Sequence, residues 1–353
     1  MVAAPLVASG AASGWTGSSV QQAEIESGET VTPAGTTPTA RRGRLKLWLK
    51  IGLGLGLLVF LLLHTDRAEL LASLRAIDPW VFAWAVAIAA IGNALRNWKW
   101  QVLLAALGSR VGFHRLHAIT YMALFFNNFL PGSLGGDGFR VMRTAGDAGG
   151  AADATAVVIM DRLTGLIALV LFVCAASAFD LATGPDLFPR PVMLKIFGLA
   201  LLALLACLLA TKLSDRIALL RRLPLPAVAH KLIGQLAEAF RVLHTHPSTW
   251  GSSMLLSCGT LLAMVGAMYY YAVAAEIPVS FVATLLVVPL ASFLILVPIS
   301  FNGLGLQEGA FMLFFNALGV APTQSFVLAI GPRISLLVFS VIGGIIYLME
   351  RRR

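Results

Sequence analysis

Long uninterrupted runs of apolar residues occur throughout this chain of 353 residues. A helix needs about 20 apolar residues to cross the hydrocarbon core of a membrane, and backbone inside lipid has to satisfy its own hydrogen bonds. Such runs lie at about 47–64, 80–107, 152–178, 191–211, 249–275 and 324–348. The composition agrees, since 58% hydrophobic and 12% charged residues differ strongly from a soluble protein. The sequence therefore predicts an all-α fold, a polytopic bundle of transmembrane helices.

The basic residues lie beside the apolar runs and form no separate domain. The formal net charge of +9 therefore indicates membrane topology and contact with anionic lipids, and nucleic acid is not expected as a partner. Residues 1–40 are rich in alanine, glycine, serine and threonine and contain no lysine or arginine. They are predicted to form a disordered tail rather than a signal peptide. The transmembrane domain is predicted to cover 41–350.

Charge placement predicts the topology, because short cytoplasmic loops collect lysine and arginine. Basic residues from Arg41 to Lys50, around Arg110 and at the C-terminus place both termini in the cytoplasm. The basic, amphipathic segment 212–248 is predicted to lie on the same side of a plasma (inner) membrane. Two further apolar segments, about 117–150 and 280–320, must then enter and leave the membrane from one side. We expect six full spans and two re-entrant hairpins.

Proline and glycine break both hairpins in the same pattern, P-x-S-x-x-G-x-G-x-[RQ]. The matching residues are Pro131, Ser133, Gly136, Gly138 and Arg140 in the first break and Pro298, Ser300, Gly303, Gly305 and Gln307 in the second. The segment Ile159–Ile167 also matches Ile330–Val338. We interpret this as two inverted repeats, about 47–178 and 191–348, each with three full spans and one broken hairpin, a plan typical of transporters. The alternative for either segment is a loop resting at the membrane interface.

Charged and strongly polar residues within the apolar segments must pair, reach the interface or line a cavity, because an isolated charge in lipid is costly. The predicted substrate-binding residues are Asn127, Asn128, Asp137, Arg140, Arg162, Glu308 and Arg333. Arg162 and Arg333 are expected either to neutralise Asp137 and Glu308 or to bind an anionic headgroup.

Other charged residues have simpler interpretations. Arg96 and Lys99 are expected to extend from their helix towards the cytoplasmic interface. Asp161 and Arg162 are adjacent in sequence and therefore point to different sides of a helix, which argues against a pair between them. Contact with lipid headgroups at the inner face is an equal alternative for Arg140 and Arg143.

Signatures of catalysis or metal binding are weak. The sequence contains no HExxH, no Walker lysine and no aspartate-rich motif for diphosphate and Mg²⁺. His244 and His246 lack a third ligand, and the three cysteines lie inside apolar runs without a CxxC spacing. We expect no catalytic residues, no metal and no cofactor.

Several stretches resemble one membrane-protein family. They are LRNWKWQVLL, FNNFLPGSLGGDGFRVMR, DRLTGL, LVPISFNGLGLQEGAF and PRISLL. Together they are similar to the transmembrane domain of the lysylphosphatidylglycerol synthase family, which comprises flippase-like proteins, over about 45–350. In that family, the membrane domain of the multiple peptide resistance factor is thought to move aminoacylated phosphatidylglycerol between leaflets. A soluble aminoacyltransferase domain makes that lipid.

This sequence ends at Arg353, directly after its last predicted span, so we expect no aminoacyltransferase domain and no synthase activity. The resemblance implies a lipid translocase for a polar-headgroup lipid, such as an anionic or aminoacylated phospholipid, which a separate synthase could supply. Two alternatives stay open: a membrane-embedded lipid-modifying transferase, and a non-transporting partner subunit of a lipid synthase.

Overall fold

The computed structural model describes most of the predicted transmembrane domain as helices. The described residues are 38–63, 65–129, 136–183, 187–212, 247–295 and 301–351. Most of the predicted tail, nearly all of the amphipathic segment 212–248, and both Pro131 and Pro298 lie outside them. No strand occurs among the described residues. The predicted all-α class is confirmed.

The helices follow one another in a simple order. They are α1 (Pro38–Leu63), α2 (Arg67–Arg75), α3 (Pro79–Ala106), α4 (Phe113–Phe129), α5 (Gly136–Thr144), α6 (Ala151–Thr183), α7 (Arg190–Lys212), α8 (Pro247–Ala274), α9 (Phe281–Ile295), α10 (Leu306–Ala317) and α11 (Pro322–Arg351). The chain divides into two compact units, Met1–Lys46 and Leu47–Arg353. In the first unit, the described residues form the beginning of α1.

Four helices of the described residues are long and apolar enough to cross a membrane: Pro79–Ala106, Asp153–Thr183, Pro247–Ala274 and Pro322–Arg351. They coincide with four of the six predicted spans. A fifth predicted span, 191–211, forms α7. The remaining one belongs to α1, whose segment Ile51–Leu63 passes the same test together with α2, bent by 92° between them. The protein is therefore a multi-pass membrane protein.

Helix α2 was not predicted, since the sequence analysis treated 65–79 as a loop. Its N-cap is Asp66, whose side chain accepts hydrogen bonds from the backbone N–H groups of Ala68 at 2.8 Å and Glu69 at 3.0 Å. Such a cap satisfies N–H groups that the first turn of a helix leaves without a partner.

Each predicted hairpin contains two helices, α4 and α5 in the first and α9 and α10 in the second. Residues 130–135 and 296–300 between them lie outside the described residues. In the second break, Asn302, Gly303 and Gly305 have φ values of 48°, 69° and 74°, the left-handed region that favours glycine. A Cβ atom on Gly305 would also lie 2.5 Å from the backbone oxygen of Gly54 on α1. Glycine is therefore needed here both for its backbone conformation and for this close approach.

The same succession of a long helix, a broken pair and a second long helix occurs twice, in α3–α6 and in α8–α11. The two opening helices, α3 and α8, pack against each other. Each closing helix packs against the broken pair of the other set, α11 against α4 and α6 against α9. Reciprocal packing of this kind fits the predicted repeat. The opposite orientation of the two sets in the membrane stays a prediction.

The contact between α4 and α11 depends on small residues. A Cβ atom on Gly343 would overlap the backbone carbonyl of Tyr121, and a Cβ atom on Gly344 would lie 2.8 Å from the ring of Phe125. Ser340 on α11 donates a hydrogen bond to the backbone oxygen of Leu124 at 3.3 Å. Small residues allow helix backbones to approach closely in membranes, so α11 fixes the position of α4.

The predicted orientation can be tested at the two corresponding connections between long helix and broken pair. Arg110 lies between α3 and α4 and Ser280 between α8 and α9, and both are exposed. In a cysteine-free background, an impermeant maleimide added to intact cells should label Ser280→Cys and should label Arg110→Cys only after permeabilisation. Labelling of both from the same side would contradict the inverted repeat.

Candidate functional site

A cavity of about 620 Å³ lies between the two sets of helices. Its wall receives side chains from α3, α4, α6, α8, α9, α10, α11 and the second break. The apolar part includes Met264, Met268, Leu336 and Phe339, and the polar part includes Asn93, Arg96, Asn127, Arg162, Asn302 and Gln307. A cavity of this size with few polar groups in an apolar wall is typical of a small-molecule site.

The two breaks meet beside this cavity through asparagine side chains. The amide group of Asn302, in the second break, donates to the side-chain oxygen of Asn128 at the end of α4. Asn128 in turn donates to Ser340 on α11. The neighbouring Asn127 accepts a hydrogen bond at 2.6 Å from the backbone N–H of Gly136, the first residue of α5. The predicted asparagines therefore connect the ends of the broken helices.

In the second set, Arg333 and Glu308 form the ion pair considered from the sequence. The Arg333 Nε atom lies 2.7 Å from Glu308 Oε1, and Glu308 is 1% exposed. Arg333 also donates to the backbone oxygens of Asn302 at 3.3 Å and Gly303 at 3.1 Å. Glu308 accepts from the backbone N–H of Gly305 at 2.8 Å. The pair thus satisfies backbone groups that the break removes from helical hydrogen bonding.

In the first set, Arg162 on α6 is paired with Asp137 on α5. The same 25-residue separation joins Asp137 to Arg162 and Glu308 to Arg333. The two pairs differ in exposure, because the Arg162 side chain is 55% exposed and the Arg333 side chain is 13% exposed. Both predicted pairings are present, and Arg162 remains accessible from the cavity.

Behind the cavity wall, three charged side chains form a buried cluster. Lys99 Nζ lies 2.7 Å from Asp161 Oδ1 and donates to Ser257 Oγ at 3.1 Å. Arg140 NH1 lies 3.5 Å from the other carboxylate oxygen of Asp161 and 3.6 Å from Asp137 Oδ1. The Arg140 guanidinium also lies over the ring of Trp100, 4.0 Å from its centroid, where cation–π attraction adds to the ionic contacts.

This cluster corrects two interpretations of the sequence. Lys99 does not extend to the interface, because it is 5% exposed and its charge is balanced by Asp161. Arg140 does not contact headgroups at the inner face, because it is 2% exposed. Arg143 is partly exposed and paired with Glu350 at the end of α11. Asp161 and Arg162 do have different partners, as their adjacency in sequence predicted.

Three members of this site, Arg96, Lys99 and Asp161, are not among the binding residues predicted from the sequence. The available signal was the presence of a lysine and an aspartate inside two apolar spans, which predicts pairing across helices. The three-dimensional position of α3 beside α6 was needed to identify the pair. Gly136 and Gly138, two of the glycines predicted to form the first break, lie on α5, of which Gly136 is the first residue.

Metal-binding residues are not grouped in this part of the molecule. Within the described ranges, no three histidine, cysteine, aspartate or glutamate side chains lie together in a way that could hold a metal ion. His244 and His246 lie outside those ranges.

These features define the class: an all-helical integral membrane protein with a partly charged cavity between two broken helix pairs. The chain belongs to the family described as the lysylphosphatidylglycerol synthase TM region, whose model matches residues 47–344. It is also similar to a UPF0104 membrane protein of Pyrococcus horikoshii, with 23% identity over 334 residues. The alignment covers 87% of this chain and 98% of that protein. The family resemblance noted from the sequence motifs is confirmed.

Proposed function

We propose that this protein is a lipid translocase that moves a polar-headgroup lipid between the leaflets of the plasma (inner) membrane. The observation that carries the proposal is the cavity, which combines arginine, asparagine and glutamine side chains with an apolar wall at the meeting point of two broken helix pairs. A headgroup crossing the bilayer loses its water, and polar side chains inside the membrane replace part of that hydration. The acyl chains would remain in the bilayer.

Arg162 is the residue best placed to bind the headgroup. It lines the cavity, and its pair with Asp137 is half open to the surroundings. A guanidinium can bind two oxygens of a phosphate at once, so Arg162 can exchange the carboxylate of Asp137 for a lipid phosphate. Glu308 and Arg333 hold the second break in shape through their hydrogen bonds to its backbone. The broken helices thereby keep the cavity polar without unsatisfied backbone groups.

The family name suggests an aminoacylated phospholipid as one possible lipid, supplied by a separate synthase. We propose no synthase activity for this chain and place both its termini in the cytoplasm.

The proposal can be tested with purified protein in liposomes that contain fluorescent phospholipid. Arg162→Gln should reduce the translocation rate about tenfold or more, since a hydrogen bond to a charged group contributes about 1.5–3 kcal/mol. Arg143→Gln is the matched control, because it also removes an arginine paired with a carboxylate but lies away from the cavity. Its rate should equal that of the wild type.

Two outcomes would contradict the proposal. If the wild type moves lipid no faster than protein-free liposomes, and the purified protein changes the lipid chemically, the transferase alternative is correct. If it moves no lipid but co-purifies stably with a lipid synthase, the partner-subunit alternative is correct. An unchanged rate in Arg162→Gln would remove this residue from the mechanism while leaving translocation itself intact.

A further inference from the structure

Arg96 is a cation in the cavity wall that has no ion-pair partner among the described residues. It lies on α3, ten residues before the end of that helix at Ala106, which corresponds to about 15 Å along the helix axis. Arg96 lines the cavity. Its extension to the cytoplasmic interface, expected from the sequence, stays a prediction. An unpaired charge within an apolar span is costly unless a counter-charge or water accompanies it.

The polar wall carries more positive than negative charge. Arg96 and Arg162 line the cavity, and no carboxylate of the described residues does. The two segments nearest the breaks that the structure does not describe, 130–135 and 296–300, contain no ionisable residue in the sequence.

The buried cluster behind the wall does not remove this excess. Arg96 interacts electrostatically with Lys99, Asp137, Arg140 and Asp161. Among the described residues, the four cations Arg96, Lys99, Arg140 and Arg162 face two carboxylates, Asp137 and Asp161. Both carboxylates are already engaged, Asp161 by Lys99 and Arg140, and Asp137 by Arg162 and Arg140. The described cluster therefore has two positive charges in excess.

We propose that the cavity selects lipids whose headgroup has a net negative charge, and that Arg96 determines this preference because its unpaired charge attracts the phosphate and repels the ammonium groups of other headgroups. The inference rests on the proposed translocase function and specifies its substrate class. Inside a membrane, a like charge is repelled and an opposite charge is attracted more strongly than in water. A lysyl-ester headgroup has two ammonium groups for each phosphate, and this cavity disfavours it. An anionic phospholipid or another lipid phosphate supplies the missing counter-charge.

Binding can be measured without translocation. The detergent-solubilised full chain is titrated by calorimetry with dihexanoyl-phosphatidylglycerol, dihexanoyl-phosphatidylcholine, a short-chain lysyl-phosphatidylglycerol, and inorganic phosphate. The wild type should bind the anionic lipid at least about tenfold more tightly than the other two lipids, since hydrogen bonds to charged groups contribute about 1.5–3 kcal/mol. Inorganic phosphate should bind more weakly than the anionic lipid, because it lacks contacts with the apolar wall.

Two variants and a control assign the preference to Arg96. Arg96→Gln should abolish the preference for the anionic lipid, and Arg96→Lys should keep part of it because the charge remains. Arg110→Gln, which removes an exposed arginine in the connection after α3, should bind like the wild type. The anionic lipid should also raise the melting temperature of the wild type and not that of Arg96→Gln, because a ligand stabilises only a protein that binds it.

The outcomes separate this inference from the proposed function. Tight, Arg96-dependent binding of anionic lipid without translocation in liposomes would support the charge preference and contradict the translocase. Translocation of anionic, zwitterionic and lysylated lipids at equal rates would support the translocase and overturn the charge preference. Equal binding of all three lipids by the wild type, or an unchanged preference in Arg96→Gln, would also overturn it. Binding of inorganic phosphate as tight as that of the lipid would show that the ligand is free phosphate, against the proposal.

Discussion

Asp161→Asn is expected to lower the free energy of unfolding by about 3–5 kcal/mol, because breaking a buried ion pair leaves its partner charges without compensation. The substitution keeps the size of the side chain and removes only its charge. Lys99, Asp161 and Arg140 are 5%, 4% and 2% exposed, so water cannot replace the lost carboxylate at Lys99 or Arg140. The measurement is the thermal melting of the detergent-solubilised protein, where we expect a decrease of about 5 °C.

Asp153→Asn is the matched control, since it removes the same charge from an exposed position in the first turn of the same helix, α6. Its loss should cost about 0.3–1 kcal/mol at most through the helix dipole. Adding Lys99→Met to Asp161→Asn should restore part of the stability, because one of the two uncompensated cations is then removed. Equal melting temperatures for Asp161→Asn and Asp153→Asn would show that Asp161 does not balance the buried cations.

Gly343→Val is expected to destabilise the protein by about 1–3 kcal/mol or more, the usual cost of inserting atoms into a well-packed interface. The first added carbon would overlap the backbone carbonyl of Tyr121. A backbone group cannot rotate out of the way as a side chain can, so α11 would have to move away from α4. That movement would also separate Ser340 from Asn128 and so disturb the junction of the two breaks.

The same melting experiment tests this prediction, and Gly198→Val provides its control. Gly198 lies inside α7, and a Cβ atom there would meet nothing within 4 Å. The control therefore carries the cost of valine in a helix without the clash. We expect Gly343→Val to melt at a clearly lower temperature and to lose translocation. If the two variants melt at the same temperature, the α4–α11 contact does not depend on the glycine.

The fold could be predicted where a local pattern determines it. Long apolar runs specified the membrane-spanning helices, and glycine specified the second break, where Gly303 and Gly305 adopt the left-handed backbone region. Helix α2 was missed because its short, polar sequence resembles a loop, and its formation depends on the Asp66 cap. A bend of 92° between Ile51–Leu63 and α2 depends on packing with distant helices, which no single segment encodes.

The ion pairs of the site could be predicted from the sequence, but the burial of its charged side chains could not. The repeat placed Arg162 and Arg333 at equivalent positions, which suggested their carboxylate partners correctly. Burial was harder to infer, because Arg96, Lys99 and Arg140 all lie near sequence positions from which a long side chain could reach water. Their different environments arise from which face of α3 and α5 meets α6, and that depends on how three separate helices pack.

The unequal exposure of the two ion pairs has a consequence for how chains of this kind can diverge. In the predicted repeat, the ion pairs Asp137–Arg162 and Glu308–Arg333 occupy equivalent positions. Here Glu308 and Arg333 make three hydrogen bonds to the backbone of the second break, so folding itself resists change at those positions. Among the described residues, the Asp137 and Arg162 side chains make no such hydrogen bonds to backbone groups of a break. We expect adaptation to new lipids to proceed by replacement of the more exposed pair, Asp137 and Arg162, while Glu308 and Arg333 continue to hold the second break.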